Sequence, residues 1–357
     1  MIKGSEHINT PSLLVFPELV KKNITEAIRM VKQPDRLWPH IKTHKTSEVI
    51  SLCQEAGVQH FKCATITEAE LLGKNHVKTA LLAHQLVGPK VDQFLTLVLE
   101  YPDTSFKCIF DNVHSAKIIG QKAEAKMLTI GCFIDLNVGM NRTGISPEKI
   151  GELAKEISQI KGLRLEGIHA YDGHIHDADF KIRKEKADAA YNIAAAAKQS
   201  AEDITGQKLQ LIISGSPAFS IHANRPDVIC SPGTFIFWDA NYQSFTEQQF
   251  TPAIWLATRV ISTPAAGLIC TDLGHKAVAA EQTLQRRVHF FDNPDLQVTG
   301  QSEEHLVLKT EQNYKVGDLL FAIPYHVCPT VALHHQVQVV EQNQLTSANW
   351  SIHRHRK

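Results

Sequence analysis

Short apolar runs alternate with longer amphipathic stretches through the first two thirds of the chain. The short runs predict β-strands, and the stretches in which apolar residues recur every three or four positions predict α-helices. Leu13–Phe16 is the first candidate strand, and Pro17 opens the helix that follows it. The other candidate strands in this part are Arg36–Ile41, Phe61–Ala64, Thr79–Ala83, Phe106–Phe110, Thr129–Leu136, Leu163–Ala170, Leu209–Ile213 and Val228–Cys230.

About eight strand–helix units result, which is the number that a TIM barrel needs. A doubly wound open sheet would also alternate strands with helices. No G-x-G-x-x-G motif follows an early strand, which disfavours a dinucleotide-binding sheet. The pattern therefore favours a (β/α)8 barrel and leaves the open sheet as the alternative.

The pattern changes after about Phe245, where β-rich segments separated by turn residues replace the helical period. This pattern of short β-rich segments separated by turns predicts a separate, mostly antiparallel β domain. Its candidate strands are Trp255–Ser262, Leu268–Asp272, Arg287–Phe291, His305–Leu308, Leu319–Ile323 and Val331–Val340.

Charge and cysteine content narrow the classes of function. Lys plus Arg and Asp plus Glu are balanced at 37 each in 357 residues. This balance argues against a basic surface that binds nucleic acid and favours a protein that acts on small molecules. No apolar run has the length of a signal peptide or of a membrane span. The 7 irregularly spaced cysteines are typical of reduced thiols, so we expect a cytoplasmic protein.

Polar and titratable residues gather where the candidate barrel strands end. Catalytic groups of βα barrels come from these carboxyl ends. Glycine and hydroxyl side chains in the last two loops would suit a phosphate, although ordinary turns have the same composition. The segments at these ends are Pro39–Lys45, His84–Gln85, Asp111–Asn112, Asp135–Gly144, His169–His174, Ser214–Ser216 and Ser231–Thr234.

Lys42 follows the Arg36–Ile41 strand and would face the same rim. Burial and neighbouring cations can lower the pKa of such a lysine, so that its amine forms an imine. A solvated basic turn is the alternative for Lys42 alone. Together with a phosphate site across the rim, however, Lys42 meets the minimal requirement for holding pyridoxal phosphate (PLP).

His326 and Cys328 lie two positions apart in the β-rich part. On a strand, residues at this spacing point to the same face. An imidazole and a thiolate on one face make half of a zinc site and leave open positions. With 19 histidines in the chain, a chance pair is the alternative.

The segment Pro39-His40-Ile41-Lys42-Thr43-His44-Lys45-Thr46 resembles the PLP-lysine segment of the D-threonine aldolase and D-serine dehydratase group. The resemblance extends from Thr10–Leu13 to Pro324–Thr330. It implies the alanine racemase-like fold, an α/β architecture in which a PLP-binding TIM barrel precedes a mostly antiparallel β domain. We expect the barrel over residues 11–245 and the β domain, with the metal ligands, over residues 246–357 together with 1–10.

The resemblance also implies roles for individual residues. Lys42 would be the Schiff-base lysine, Arg142 would sit near the cofactor ring, and Tyr171 would lie beside the pyridine nitrogen or the substrate. His326 and Cys328 would bind a divalent metal, with Zn²⁺ favoured over Mn²⁺ or Mg²⁺ because thiolate is a soft ligand. The residues that would hold the phosphate are Ser214, Gly215, Ser216, Gly233 and Thr234.

The implied reaction is retro-aldol cleavage of a D-3-hydroxy amino acid such as D-threonine to glycine and an aldehyde. His174 is the candidate for taking the proton of the β-hydroxyl. Dehydration of D-serine to pyruvate and ammonia would use the same lysine, cofactor and metal. Cys328 as a metal ligand favours this alternative. An amino-acid racemase would leave the metal pair without a role, and a non-catalytic PLP-binding barrel would lack the β domain. Family relatives imply a homodimer.

Overall fold

The computed structural model describes residues 2–355, so Met1, Arg356 and Lys357, at the outer ends of the predicted β domain, lie outside the described residues. The helices are α1 Pro17–Val31, α2 Ser47–Glu55, α3 Ile66–Lys74, α4 Lys90–Glu100, α5 Val113–Ala125, α6 Ile150–Ser158, α7 Phe180–Thr205, α8 Phe219–His222 and α9 Val327–Val331. No helix within residues 2–355 is both apolar enough and long enough to cross a bilayer.

The strands fall into two sheets. They are β1 Ser12–Val15, β2 His60–Cys63, β3 Thr79–Leu82, β4 Ser105–Phe110, β5 Ile130–Asp135, β6 Leu163–Ala170, β7 Gln210–Ile213, β8 Ile229–Cys230, β9 Ile254–Ala265, β10 Leu268–Thr271, β11 Val288–His289, β12 Gln297–Gln301, β13 Leu306–Lys309, β14 Leu319–Pro324, β15 Gln336–Glu341 and β16 Gln344–Ser351.

Strands β2 to β8 form a parallel sheet in sequential order, and the segment 37–41 closes it. The Trp38 N–H donates to the Cys230 carbonyl at 2.8 Å, and the Ile41 N–H donates to the Lys62 carbonyl at 2.9 Å. Parallel bridges join Leu37 to Cys230 and His40 to Lys62. This segment occupies the eighth position, in isolated bridges and not a continuous ladder, because it contains Pro39, which has no N–H to donate. The predicted barrel is confirmed.

Large side chains fill the interior of the barrel. Trp38, Leu81, Ile109, Phe133 and Ile212 form one buried cluster. These residues come from the closing segment and from four of the seven parallel strands. Burial of such side chains supplies the main favourable free energy of folding, and it holds the strand ends in fixed positions.

One buried charged group of the barrel is neutralised by ion pairing. Lys107 on β4 is 8% exposed, and its ammonium forms an ion pair with Glu166 on β6. Arg164 pairs with the same carboxylate. A buried lysine is ordinarily kept charged by such a partner, so Lys107 has a structural explanation.

The second sheet is mostly antiparallel, as predicted, with the order β12-β13-β10-β9-β1-β15-β16 and with β14 also paired to β9. Strand β1 lies between β9 and β15. It is antiparallel to β9, with Leu13 opposite Leu256, and parallel to β15, with Leu14 opposite Gln338. Leu14 belongs to a buried cluster with Ile8 and Val340. The first strand of the chain is therefore an internal strand of this sheet.

The described residues divide into two compact units. The barrel unit consists of residues 27–42, 50–233 and 355, and the β unit consists of residues 2–26, 43–49 and 234–354. The domain boundaries expected from the sequence, 11–245 and 246–357 with 1–10, stay a prediction.

The segment around Cys328 is helical, so two expectations about it were wrong. The predicted strand Val331–Val340 begins only at Gln336, and His326 precedes helix α9, of which Cys328 is the second residue. Pro329 explains the difference, because proline is tolerated in the first turn of a helix but cannot donate to a strand ladder. His326 and Cys328 are therefore not neighbours on one face of a strand.

Candidate active site

Lys42 directly follows the segment that closes the barrel. Its backbone N–H donates to His40 Nδ1 at 3.2 Å, and the side chain is half-buried. The ammonium nitrogen lies 5.8 Å from the centroid of the Tyr171 ring. The residues that close the barrel therefore direct the Lys42 amine to the end of β6.

Cationic side chains from three other elements lie near the Tyr171 ring. In addition to Lys42, Lys62 Nζ lies 5.6 Å from the ring centroid, and Arg142 Cζ lies 5.1 Å from it. The negative face of an aromatic ring attracts cations at such distances. We call Lys42, Lys62, Arg142 and Tyr171 the Tyr171 cluster. It contains three residues expected from the sequence and one, Lys62, that was not.

The turn after β7 lies against the same ring. A Cβ on Gly215 would be 3.3 Å from Tyr171 Cε2, so only glycine lets the backbone approach without crowding. Ser214 precedes it with a φ of 103°, a conformation that is costly for a residue with a side chain. Strain of this kind is concentrated at functional sites.

Two of the backbone donors expected to bind an anion are already used. The Gly215 N–H donates to Asp172 Oδ1 at 2.6 Å, and the Gly233 N–H donates to Ser216 Oγ at 3.2 Å. The phosphate-binding role of these two glycines stays a prediction. At Gly215 the missing side chain also allows the backbone to approach Tyr171 closely.

Asp172 fixes this turn from the buried side. Its second oxygen, Oδ2, is 2.8 Å from His222 Nε2, and both side chains are fully enclosed. Burial opposes ionisation of Asp172, but the His222 imidazole and the Gly215 N–H outweigh it and hold the pKa of the carboxyl below its usual value. Asp172 is therefore ionised at neutral pH and accepts hydrogen bonds from both partners.

Lys62 belongs to a second buried network. Its Nζ lies 3.5 Å from His169 Nε2, and His169 Nδ1 lies 2.8 Å from Asp135 Oδ1. Asp135 also accepts hydrogen bonds from Gln85 at 2.8 Å and from Thr143 at 2.9 Å. An ordered chain of polar groups thus runs from the end of β5 to the Lys62 amine on β2.

The pKa values in this network are shifted in consistent directions. Burial, followed by the charge of Lys42, lowers the pKa of Lys62 to about 7. Burial also lowers the pKa of His169. The pKa of Asp135 is lowered, because the hydrogen bonds from His169, Thr143 and Gln85 outweigh its burial. At neutral pH the network therefore contains an anionic Asp135, a neutral His169 and a Lys62 close to its titration midpoint.

His174 lies on the loop after β6, in contact range of Gly139. A Cβ on Gly139 would be 2.9 Å from His174 Nε2, and the backbone of Gly139 has a φ of 114°. The Nδ1 atom of His174 is buried, and it has no hydrogen-bond partner among residues 2–355. A buried polar atom without a partner is the kind of group that a ligand satisfies, and the proton-accepting role of His174 stays a prediction.

The two expected metal ligands lie together in the β unit even though they are not on a strand. His326 and Cys328 share a hydrogen bond, and Thr43 Oγ1 and Thr234 Oγ1 lie 3.2 Å and 3.7 Å from Cys328 Sγ. Thr234, expected to bind phosphate, is therefore a neighbour of the thiol. Among the described residues, no group of three or more His, Cys, Asp or Glu side chains is arranged to hold a metal ion.

Glu281 orients His326. Its Oε1 lies 2.5 Å from His326 Nδ1. Burial opposes protonation, but the Cys328 thiol and the Glu281 carboxylate raise the pKa of His326 to about 9. Because Nδ1 faces Glu281, Nε2 is the imidazole atom left for a metal, which is the usual arrangement of carboxylate–histidine pairs at zinc sites.

Sequence reasoning missed Lys62, Glu281 and the Asp172–His222 pair. A charged residue in the middle of the apolar run Phe61–Ala64 was a usable signal for Lys62, because a strand buried on both faces rarely contains an unpaired lysine. Glu281 and His222 are far along the chain from their partners, and no local pattern marks them.

Two family models match the chain. The model described as "Alanine racemase, N-terminal domain" matches residues 17–240, which is more than half of the chain. The model described as "Putative serine dehydratase domain" matches residues 253–340. The first match coincides with the barrel strands, and the second with most of the antiparallel sheet.

Two individual proteins are similar to this chain over most of its length. A D-threonine aldolase from Arthrobacter sp is 25% identical over 97% of this chain and 92% of its own length. The D-threo-3-hydroxyaspartate dehydratase of Delftia sp. is 23% identical over 91% of this chain and 92% of its own length, and a structure of a cysteine-to-alanine variant of such a dehydratase is described as metal-free.

A solved structure establishes the fold independently of the sequence matches. The D-threonine aldolase of Filomicrobium marinum superimposes with a TM-score of 0.90, covering 98% of this chain and 96% of that one, at 24% identity. The fold and the resemblance to the aldolase and dehydratase group are confirmed. The chain belongs to the alanine racemase-like family, in which its barrel is the alanine racemase N-terminal domain.

Proposed function

We propose that the protein is a PLP- and metal-dependent lyase that cleaves D-3-hydroxy amino acids of the D-threonine type to glycine and an aldehyde. The observation that carries this proposal is the position of the Lys42 amine, 5.8 Å from the centre of the Tyr171 ring that packs on the Gly215 turn. The similarity of the chain to the D-threonine aldolase from Arthrobacter sp, at 25% identity over 97% of this chain, supports the proposal. A homodimer in the cytoplasm is part of the proposal.

The residues of the barrel unit suit PLP. Lys42 would hold the cofactor through its amine, Arg142 and Tyr171 would flank the ring, and the strained Ser214 turn would bring Gly215 close to the phosphate, with Ser216 and Gly233 completing its site. The phosphate role expected for Thr234, a residue of the β unit, stays a prediction. The chemistry that PLP supplies is an electron sink for the bond broken at Cα. Lys42 and Arg142 near Tyr171 give this region the positive charge that a phosphorylated anion requires.

His326 and Cys328 would hold the divalent metal in the β unit. Cys328 favours Zn²⁺ over Mn²⁺ or Mg²⁺, because a thiolate is a soft ligand. The chemistry that the ion supplies is Lewis acidity, which lowers the pKa of a substrate hydroxyl. His174 would accept the hydroxyl proton at Nδ1, the buried atom without a partner among the described residues.

Dehydration of D-serine or of a related D-3-hydroxy amino acid is the second candidate. Three observations favour it: the thiol of Cys328, the match to a putative serine dehydratase domain over residues 253–340, and the similarity to the dehydratase from Delftia sp.. An amino-acid racemase is a third and weaker candidate, because it gives the metal pair no role.

Products distinguish these reactions. We expect purified protein supplied with PLP and Zn²⁺ to convert D-threonine to glycine and acetaldehyde, which amino-acid analysis and an alcohol dehydrogenase assay measure. Pyruvate and ammonia from D-serine, without glycine from D-threonine, would establish the dehydratase instead. L-Threonine is the control for substrate handedness.

A chelator separates both lyases from a racemase. Because a metal is required only to activate the β-hydroxyl, removal of the metal should abolish cleavage or dehydration and leave racemisation intact. Lyase activity that survives exhaustive chelation would contradict the metal part of the proposal.

Replacing Glu281 with glutamine is expected to weaken metal binding by about 10- to 100-fold. The carboxylate that holds His326 Nδ1 at 2.5 Å would be lost, so the imidazole would be less well oriented and a weaker ligand. Competition with a chromophoric chelator measures the Kd for Zn²⁺ directly.

Glu304→Gln is the matched control, because Glu304 is an exposed carboxylate paired with Lys276. Its Kd for Zn²⁺ should equal that of the unmodified protein. Equal affinities in the Glu281→Gln and Glu304→Gln variants would show that Glu281 does not act on the metal.

A further inference from the structure

Lys62 is a buried amine that the proposed function does not use. Lys62 is 3% exposed. In strand β2, Lys62 lies opposite Leu81 of β3. Lys107 is the other deeply buried lysine of the barrel strands, and it forms an ion pair with Glu166. Lys62 instead meets an imidazole, which cannot neutralise an ammonium group. Ion pairing therefore explains Lys107 but does not explain Lys62.

The hydrogen-bond directions define what the Lys62 amine can do. A carboxylate only accepts hydrogen bonds, so His169 presents Nδ1–H to Asp135 and leaves the Nε2 lone pair facing Lys62. The amine then donates one N–H to Nε2. A neutral amine held in this way keeps its own lone pair available to accept a proton.

Lys62 lies near the same aromatic ring as Lys42, to which the cofactor is assigned. Lys62 Nζ and Lys42 Nζ lie at nearly the same distance from the Tyr171 centroid, 5.6 Å and 5.8 Å. Arg142 is the third cation at this ring. The charge of Lys42 also acts on Lys62, so the two amines are near enough for a group bound at Lys42 to interact with Lys62.

The charges around Lys62 come from several elements. The cations Lys42 and Arg142 disfavour its protonation, and the carboxylates Asp135 and Asp172 favour it. His169 is neutral at neutral pH because burial lowers its pKa. Burial and the two cations outweigh the carboxylates, so the pKa of Lys62 is lowered to about 7 and a large fraction of the amine is neutral near that pH.

We propose that Lys62 takes the proton from the ammonium group of the incoming amino acid and returns it to the amine that departs. This inference rests on the proposed function. An amino acid arrives with a protonated amino group, which has no lone pair and cannot replace Lys42 at the cofactor. Transfer of one proton to Lys62 Nζ gives a neutral substrate amine and a Lys62 ammonium group, which His169 and Asp135 stabilise.

The proton balance closes within one turnover. The amine that leaves at the end of the reaction is basic, and it recovers the proton from Lys62 as it departs as an ammonium ion. Lys62 is then neutral again, and its hydrogen bond to His169 is unchanged. The step consumes no oxidant, reductant or other co-reactant.

D-Alanine provides the test, because its Cβ has no hydroxyl and it is neither cleaved nor dehydrated. Mixing the holoenzyme with D-alanine in a stopped-flow spectrophotometer reports, through the cofactor absorbance, how fast an amine replaces Lys42. In the unmodified protein this rate should rise as pH passes about 7, the pKa of Lys62. In Lys62→Met the rate at neutral pH should fall by about 100-fold, and the rise near pH 7 should disappear.

Two further variants make the result decisive. Lys62→Arg keeps a cation over Tyr171 but never gives up its proton, so it should be as slow as Lys62→Met. Lys107→Met removes the other buried lysine and should keep the rate and pH profile of the unmodified protein, because Arg164 still pairs with Glu166.

Other outcomes would overturn the proposal. Unchanged exchange in Lys62→Met, full rescue by arginine, or loss of cofactor from both Lys62 variants would each assign Lys62 a structural role. Borohydride reduction followed by peptide mass spectrometry separates this failure from failure of the proposed function. A pyridoxyl group on Lys42 together with normal exchange in Lys62→Met refutes the Lys62 role alone, whereas no label on Lys42 refutes both.

Discussion

Replacing Lys42 with alanine is expected to remove the absorbance of the lysine-bound cofactor and to lower kcat by about 1,000-fold or more. Lys42 is the half-buried amine that follows the barrel-closing segment, and the proposal gives it the covalent attachment to PLP. Without it the cofactor is held only by non-covalent contacts. Visible absorbance after dialysis and steady-state assay with D-threonine measure the two effects.

The matched control for this variant is Lys45→Ala. Lys45 is three residues further on, in the β unit, and its carbonyl accepts a hydrogen bond from the His353 N–H, a contact that the substitution retains. Lys45→Ala should keep the absorbance band. A band of full intensity in Lys42→Ala, with the reduced pyridoxyl label on another lysine, would refute the assignment of Lys42.

Replacing Asp172 with alanine should lower the free energy of unfolding by about 3 kcal/mol and weaken the binding of PLP. The substitution leaves the His222 imidazole and the Gly215 N–H buried without their acceptor, and each such group costs about 1–3 kcal/mol. The Gly215 turn would also lose the contact that fixes it beside Tyr171. Urea unfolding of the apoprotein and a PLP titration measure the two changes separately.

Asp172→Asn is the informative control. Its amide oxygen can still accept from Gly215, so it should recover a large part of the stability and of the PLP affinity. Asp179→Ala removes an exposed helix cap at the start of α7 and should cost about 1 kcal/mol with no change in PLP affinity. An Asp172→Ala protein as stable as the unmodified one would show that the network does not anchor the turn.

The Asp172 carboxyl also predicts a pH dependence. Its pKa in the folded protein is below the ordinary value of 3.8, so the folded state favours the ionised form. The stabilisation is fully present above pH 3.8 and is lost as pH falls through the folded-state pKa. Acid unfolding of the unmodified protein should therefore include a contribution that Asp172→Asn lacks.

The sequence was most informative about the barrel, because each strand there has its own apolar run and pairs with the next strand along the chain. Phe61–Ala64 and Leu163–Ala170 were placed within one residue of β2 and β6. The closing strand was also located, although Pro39 limits it to isolated bridges.

Prediction failed where a distant partner or a single proline decides the structure. The interior position of β1 depends on β9 and β15, which are more than 200 residues away in the chain. Pro329 turned the expected strand around Cys328 into a helix. The site residues Lys62 and His222 act through contacts between elements, and these contacts have no local signature.

The pairing of β1 has a consequence for synthesis on the ribosome. Each of the parallel strands from β2 onward meets its neighbour soon after it emerges, so the barrel can assemble while translation continues. Residues 12–15 leave the ribosome first but must wait for β9 and then for β15, near the other end of the chain. Until then the nascent polypeptide carries an apolar strand with two unpaired edges, which is a target for chaperones and a risk for aggregation when translation stalls.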